Sequence, residues 1–171
     1  MDALSFNLCF DTTSMAHRDA VRGERHPLLL GPIRLPHALV PQLLLQPAAR
    51  MITVSSGLAF VPLAMTPTYS ATKAAIRSWT RSLRTQMAGT RIRVHEPAPP
   101  AVQTGLMPGR RASPHAMPFD AFLDEVMAIL ALDPIPDEIL VQRAGFLRQA
   151  EAGGTCLEVF DMLNSRLRSS E

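Results

Sequence analysis

The apolar positions change period several times along the chain, and each change marks an element. Leu4, Phe6, Leu8 and Phe10 alternate with Ser5, Asn7 and Cys9, a period of two that predicts a strand over residues 4–10. Residues 11–26 are polar without periodicity and read as a loop. Residues 28–46 are strongly apolar and helix-like, with Pro36 and Pro41 inside and Pro47 closing the run. Pro41 is expected to kink that helix or to lie in a second turn, because proline removes a donor and crowds the preceding turn. Residues 51–55 hold the β-branched Ile52, Thr53 and Val54, which predicts a short buried strand, and 57–68 read as a loop. The clearest helix spans 70–87, where Ala71, Ala74, Ala75, Trp79, Leu83 and Met87 recur at helical spacing and Gly89 follows as a cap. Residues 91–96 alternate as a strand and stop at Pro97, Pro99 and Pro100. After a loop rich in proline, glycine and arginine, three further helices are expected. The first covers 119–132 and the second 137–152, which Pro136 opens and Gly153–Gly154 closes. The third covers 156–167, with Leu157, Phe160, Leu163 and Leu167 on one face.

Strand, helix, strand, helix in that order predicts an α/β fold with parallel strands. The change of character after residue 26 divides the chain into a divergent segment, 1–26, and a single domain, 27–171. Apolar residues make up 47% and charged residues 19%, enough core for a domain and too little charge for a disordered chain. The net charge of +2 is small and the arginines are scattered, which argues against nucleic acid. Cys9 and Cys156 lie in no CxxC motif, so two free thiols in a reducing compartment are expected. His17, His26, His37, His95 and His115 show no ligand spacing, so no metal is expected. No run is long enough to span a bilayer and none reads as a signal peptide, which predicts a cytoplasmic protein without membrane contact.

One pair of residues changes the picture. The seventeen basic residues include one lysine, Lys73, and it stands four residues after the one tyrosine, Tyr69. A phenol ionises near pH 10 and is a poor base at neutrality unless a cation stabilises the phenolate. A lysine one helical turn away can supply that cation as a compact ammonium, which the planar guanidinium of arginine does not imitate. Ser56 lies at the carboxyl end of the 51–55 strand, where open α/β sheets bind ligands. The next strand feeds a loop with Val102 and Thr104.

The run Ile52-Thr-Val-Ser-Ser56, followed by Tyr69-Ser-Ala-Thr-Lys73-Ala-Ala, resembles the catalytic segment of the short-chain dehydrogenase/reductase family. The loop Pro97-Ala-Pro-Pro-Ala-Val102-Gln-Thr104 is similar to the family segment that holds the nicotinamide carboxamide. From about residue 28 to 163 the chain looks like the DltE-like branch of bacterial oxidoreductases. The resemblance implies an NAD(P)-dependent oxidoreductase acting on a small alcohol or carbonyl substrate. Tyr69 would be the acid/base, Lys73 its pKa-lowering partner and a ligand of the nicotinamide ribose, and Ser56 the donor that holds the substrate oxygen. Pro97, Val102 and Thr104 would bind the cofactor. The family dimerises through the helices matching 28–46 and 70–87, which implies a homo-oligomer or pairing with a full-length homologue.

The sequence also departs from the family. Neither GxGxxG nor TGxxxGxG occurs, and Gly105 and Gly109 stand in the wrong context for a pyrophosphate cradle. The expected fold is therefore a partial Rossmann-like three-layer arrangement. It comprises the C-terminal half of a doubly wound parallel sheet without the dinucleotide-binding half, with 4–10 as a possible edge strand. Leu28 stands where the family's active-site asparagine falls, and leucine cannot join a proton relay. A truncated, non-catalytic relative acting through its helices, or a remnant without a role, is thus the alternative. A hydrolase using Ser56 is disfavoured, because Gly-x-Ser-x-Gly is absent.

Overall fold

The computed structural model describes residues 27–105 and 110–168. The expected strand at 4–10, the loop at 11–26 and Cys9 lie outside the described residues. Helix α1 (Pro27–Leu44) leads into strand β1 (Ala49–Ile52). Helix α2 (Pro67–Met87), strand β2 (Ile92–Pro97), helix α3 (Phe119–Leu130) and strand β3 (Glu138–Ile139) follow. Short helix α4 (Gly145–Gln149) and helix α5 (Cys156–Arg168) complete the described elements. The three strands are parallel in the order β1-β2-β3, with Met51 beside Val94 and Pro97 beside Ile139. This is the α/β, Rossmann-like arrangement expected, as a partial sheet.

Local chemistry explains most boundaries. Pro67 takes the first position of α2, where its missing N–H costs nothing. Gly89 follows the α2 cap with φ +82, a left-handed conformation that suits glycine. Helix α1 contains Pro32, Pro36 and Pro41 and continues through all three to Leu44, so the chain does not divide at Pro41.

The main core joins α1, α2, β1 and β2 through Leu43, Met51, Leu83, Ile92 and Val94, with Leu39, Val40, Trp79 and Met87 against them. The buried face of α2 is partly polar. Ala71 and Ala74 are exposed, and the inward positions are Thr72, Ile76, Thr80 and Leu83. Alanines pack almost equally well on either side of a helix. Buried threonines, by contrast, are tolerated only when their hydroxyls are satisfied. Thr72 Oγ1 donates to the Thr68 carbonyl at 2.8 Å, and Thr80 Oγ1 lies 2.8 Å from Thr53 Oγ1. A second cluster, around Val61, Leu147 and Phe160, packs α4 and α5 against the turn after β1. Asn164 fastens α5 there, accepting from the Ala64 N–H at 2.7 Å and donating to the Phe160 carbonyl at 2.7 Å.

The expected helix over 137–152 is corrected. Glu138 and Ile139 form β3, Gln142–Ala144 form a 3-10 turn, and only Gly145–Gln149 are α-helical. Pairing with β2 overrides helix propensity there: the Glu96 N–H reaches the Asp137 carbonyl at 2.8 Å, and the Ala98 N–H the Ile139 carbonyl at 3.2 Å.

The same pairing assembles a charged network within the fold. Arg77 Nη1 on α2 lies 2.9 Å from Glu138 Oε1 and 3.5 Å from Glu96 Oε2. Arg148 Nε lies 2.6 Å from Glu138 Oε2. Burial raises the Glu96 carboxyl above its ordinary range. The Arg77 charge pulls it down without offsetting that effect, and the Ser55 hydroxyl donates to the Pro97 carbonyl at 3.4 Å, not to the carboxylate. Burial also works to raise Glu138, but hydrogen bonds from Arg148 and Arg77 outweigh it and hold the group low.

These opposite shifts give opposite pH signatures. A lowered folded pKa contributes stability above the unfolded value, lost as pH falls through the folded one. A raised folded pKa contributes stability below the unfolded value, lost as pH rises through the folded one. Glu138→Gln should lower the unfolding free energy at neutral pH by about 1–3 kcal/mol for an unsatisfied partner, with the gap to wild type closing on acidification. Glu96→Gln should gain relative to wild type as pH rises from acid to neutral. Urea unfolding across that range checks both, and parallel trends in the two variants would contradict the assignment.

Candidate functional site

Parallel pairing continues past the end of β1. The Thr53 N–H reaches the His95 carbonyl at 3.0 Å, Ser55 that of Pro97 at 3.0 Å, and Gly57 that of Pro99 at 2.8 Å. This extension holds Ser56 beside the start of the loop after β2. Pro97 belongs to β2 itself, one residue beyond the expected strand end, and is buried. Ser56 is 8% exposed with extended backbone, and its Oγ accepts the Leu58 N–H at 3.2 Å as the cap of the turn Gly57–Ala59. Accepting that bond leaves the Ser56 hydroxyl proton outside it, available to an oxygen acceptor. Gly57 packs closely under α4: a Cβ there would stand 2.6 Å from Leu147 Cδ1, so that side chain would have to shift.

Tyr69 and Lys73 occupy the first turns of α2, and both are half-buried. Local bonds set this helix start. Ser70 Oγ donates to the Thr66 carbonyl at 3.0 Å and accepts the Leu63 N–H at 3.2 Å. Lys73 Nζ donates to the Val54 carbonyl at 2.9 Å, at the end of β1. It also stands 5.7 Å from the centroid of the Tyr69 ring. The ammonium is thereby tethered to the strand end with its charge near the phenol. The Val54 carbonyl is the partner that sequence reasoning missed, because a backbone acceptor leaves no trace in residue identity.

The loop after β2 folds back on itself. Met117 donates to the Ala101 carbonyl at 2.8 Å, and Gln103 donates to the Met117 carbonyl at 2.8 Å, forming a parallel bridge between Val102 and Met117. In this geometry Val102's own N–H and C=O take no part in the bridge, so one donor and one acceptor point away from Met117. Gln103 Nε2 donates to the Ser113 carbonyl at 3.0 Å, and Thr104 is half-buried two residues beyond Val102. The fold thus brings Ser56 beside the Pro97 strand end and Lys73 to Val54 and Tyr69, with Val102 and Thr104 in the loop that continues from Pro97. Among the described residues, no group of three or more His, Cys, Asp or Glu side chains could hold a metal. No helix of the described residues is long and apolar enough to cross a membrane.

Comparison with known proteins bears on the family and the fold. Residues 13–114 match the family model for short chain dehydrogenases. A Bacillus subtilis (strain 168) protein called uncharacterized oxidoreductase DltE is 49% identical over 75 residues, covering 44% of this chain and 30% of that protein. A short chain dehydrogenase from Burkholderia cenocepacia, solved in complex with NADP, superposes with a TM-score of 0.71 at 25% identity. It is matched over 88% of this chain and 66% of its own. A Sphingobium yanoikuyae short-chain dehydrogenase solved with NADPH shares the fold, with a TM-score of 0.59 at 21% identity over 74% of this chain and 52% of its own. The chain spans less than two thirds of the length of each of these relatives. With the family match extending over more than half of its residues, the chain belongs to the short chain dehydrogenase family.

Proposed function

We propose that the chain carries the proton-transfer and nicotinamide-facing part of an NAD(P)-dependent oxidoreductase site that interconverts a small alcohol and its carbonyl. The observation that carries this reading is the tether of the single lysine: Nζ 2.9 Å from the Val54 carbonyl and 5.7 Å from the Tyr69 ring centroid. A cation held there favours the phenolate and lets Tyr69 Oη exchange a proton with the substrate oxygen near neutrality. Ser56 donates its hydroxyl proton to that oxygen and keeps it at Tyr69.

The residues present fit one end of the cofactor. The Val102 N–H and C=O match the acceptor and donors of a primary carboxamide, and the Thr104 hydroxyl adds a further contact. Pro97, buried at the end of β2, acts through the loop it starts, and Lys73 reaches the ribose. The bound cofactor supplies or accepts the hydride. The NADP of the Burkholderia relative supports a nicotinamide nucleotide as the cofactor class. The contacts this chain offers the cofactor lie at the nicotinamide end.

Two experiments test the reading. Purified chain at saturating NADPH should reduce members of a panel of small ketones and aldehydes, and Tyr69→Phe should cut the rate about 100-fold or more. No turnover in the wild-type chain, or undiminished turnover in the variant, would remove the catalytic assignment. The same reading includes self-association. Ala71, Ala74, Ser78 and Ser82 are exposed on the outer face of α2 and would let a partner helix approach closely. Sedimentation should show a dimer at high protein concentration, and a monomer throughout would exclude it.

A further inference from the structure

Four charged side chains meet in the layer that supports the candidate site, and none of them takes part in the proposed proton transfer. Arg77 follows Lys73 by one turn of α2, and its Nη1 lies between Glu138 Oε1 at 2.9 Å and Glu96 Oε2 at 3.5 Å. Arg148 on α4 takes the other oxygen of Glu138 at 2.6 Å. The Phe60 ring lies against both guanidiniums, with centroid distances of 4.3 and 5.5 Å. Further along α2, Arg84 donates to the carbonyls of Val94 and Asp137, each at 3.0 Å.

Stability alone is a weak explanation for such an arrangement. Glu96 is 0% exposed and its carboxylate oxygens accept no hydrogen bond. A well-packed apolar group at such a place is often as stable or more so. What distinguishes the network is what it connects. Arg77 lies on the helix of Tyr69 and Lys73. Glu96 immediately precedes Pro97 and its loop. Arg148 lies on α4, whose Leu147 packs against Gly57 beside Ser56. Each segment of the candidate site is therefore attached to one member of the network.

We propose that Arg77 is a positioning residue: held by Glu138 and Glu96, it keeps α2 at the height on the sheet where Lys73 Nζ meets the Val54 carbonyl, within reach of Tyr69. The lysine stem has a finite reach, so the height of α2 decides whether Nζ can hold the Val54 carbonyl and keep its charge beside the ring. A slide of α2 along β2 would break a bond of 2.9 Å. The proposal rests on the reading that Lys73 eases the ionisation of Tyr69.

The chain has one tyrosine, so the ultraviolet absorbance of tyrosinate titrates Tyr69 alone, without cofactor or substrate. Lys73→Met should move the midpoint up by about 1 pH unit, the lower end for losing a nearby opposite charge. Glu138→Gln separates charge from position by sign. Acting only through space, loss of a carboxylate makes the phenolate easier to form and lowers the midpoint. Loss of positioning raises it, by about half a unit if the tether is partly released, and the rise disappears in a Lys73→Met background. Glu96→Gln should behave in the same way and serves if Glu138→Gln fails to fold by circular dichroism. A midpoint that falls, stays, or rises equally in both backgrounds overturns the proposal. If Lys73→Met itself leaves the midpoint unmoved, the parent reading of Lys73 fails, and the proposal fails with it.

Discussion

The hydrogen-bonded ladder between β1 and β2 outlasts β1, and the site depends on that extension. Three further amide bonds, from Thr53, Ser55 and Gly57, carry the parallel register to Pro99. Without them, the turn with Ser56 and the proline-rich loop would be two unrelated surface segments. With them, a serine hydroxyl and the root of the Val102 loop stand side by side at the carboxyl end of a parallel sheet. This is where the backbone of such sheets leaves ligands room. The Val54 carbonyl, on the same extension, faces α2 and receives Lys73.

Helix α2 is anchored to this sheet as much by polar contacts as by apolar ones. Ile76 and Leu83 supply burial, but Lys73, Arg77, Thr80 and Arg84 each reach a backbone or side-chain partner on another element. Directional bonds fix height and rotation, which apolar packing constrains less sharply. If Tyr69 and Lys73 act as the proposed proton-transfer pair, their helix benefits from that difference, because a small displacement at the reacting atoms costs rate.

Much of this was legible in the sequence, for identifiable reasons. Helices α2 and α3 and strand β2 repeat their patterns long enough to be read. The Tyr69–Lys73 spacing stands out because composition isolates it. The 137–152 segment misled because β3 is two residues long and has no period. Pro136 and the later Ala, Gln, Arg and Leu residues imitate a helix. The charged network was invisible for a different reason: Arg77, Glu96, Glu138 and Arg148 are distant in sequence, and only the pairing of β2 with β3 makes them neighbours. The buried face of α2 was not legible, because alanine signals packing weakly and threonine hides it.

Linkage supplies the most direct test of the central claim, that Lys73 and Tyr69 form one ionising pair. If the ammonium stabilises the phenolate, the phenolate must stabilise the ammonium by the same free energy. Because the chain has a single lysine, carbon-13 labelling of lysine gives one Cε resonance whose pH titration reports Lys73 directly. The account predicts that Tyr69→Phe shifts that titration to lower pH, since the anionic partner is gone. A Lys73 titration identical in wild type and Tyr69→Phe would contradict it.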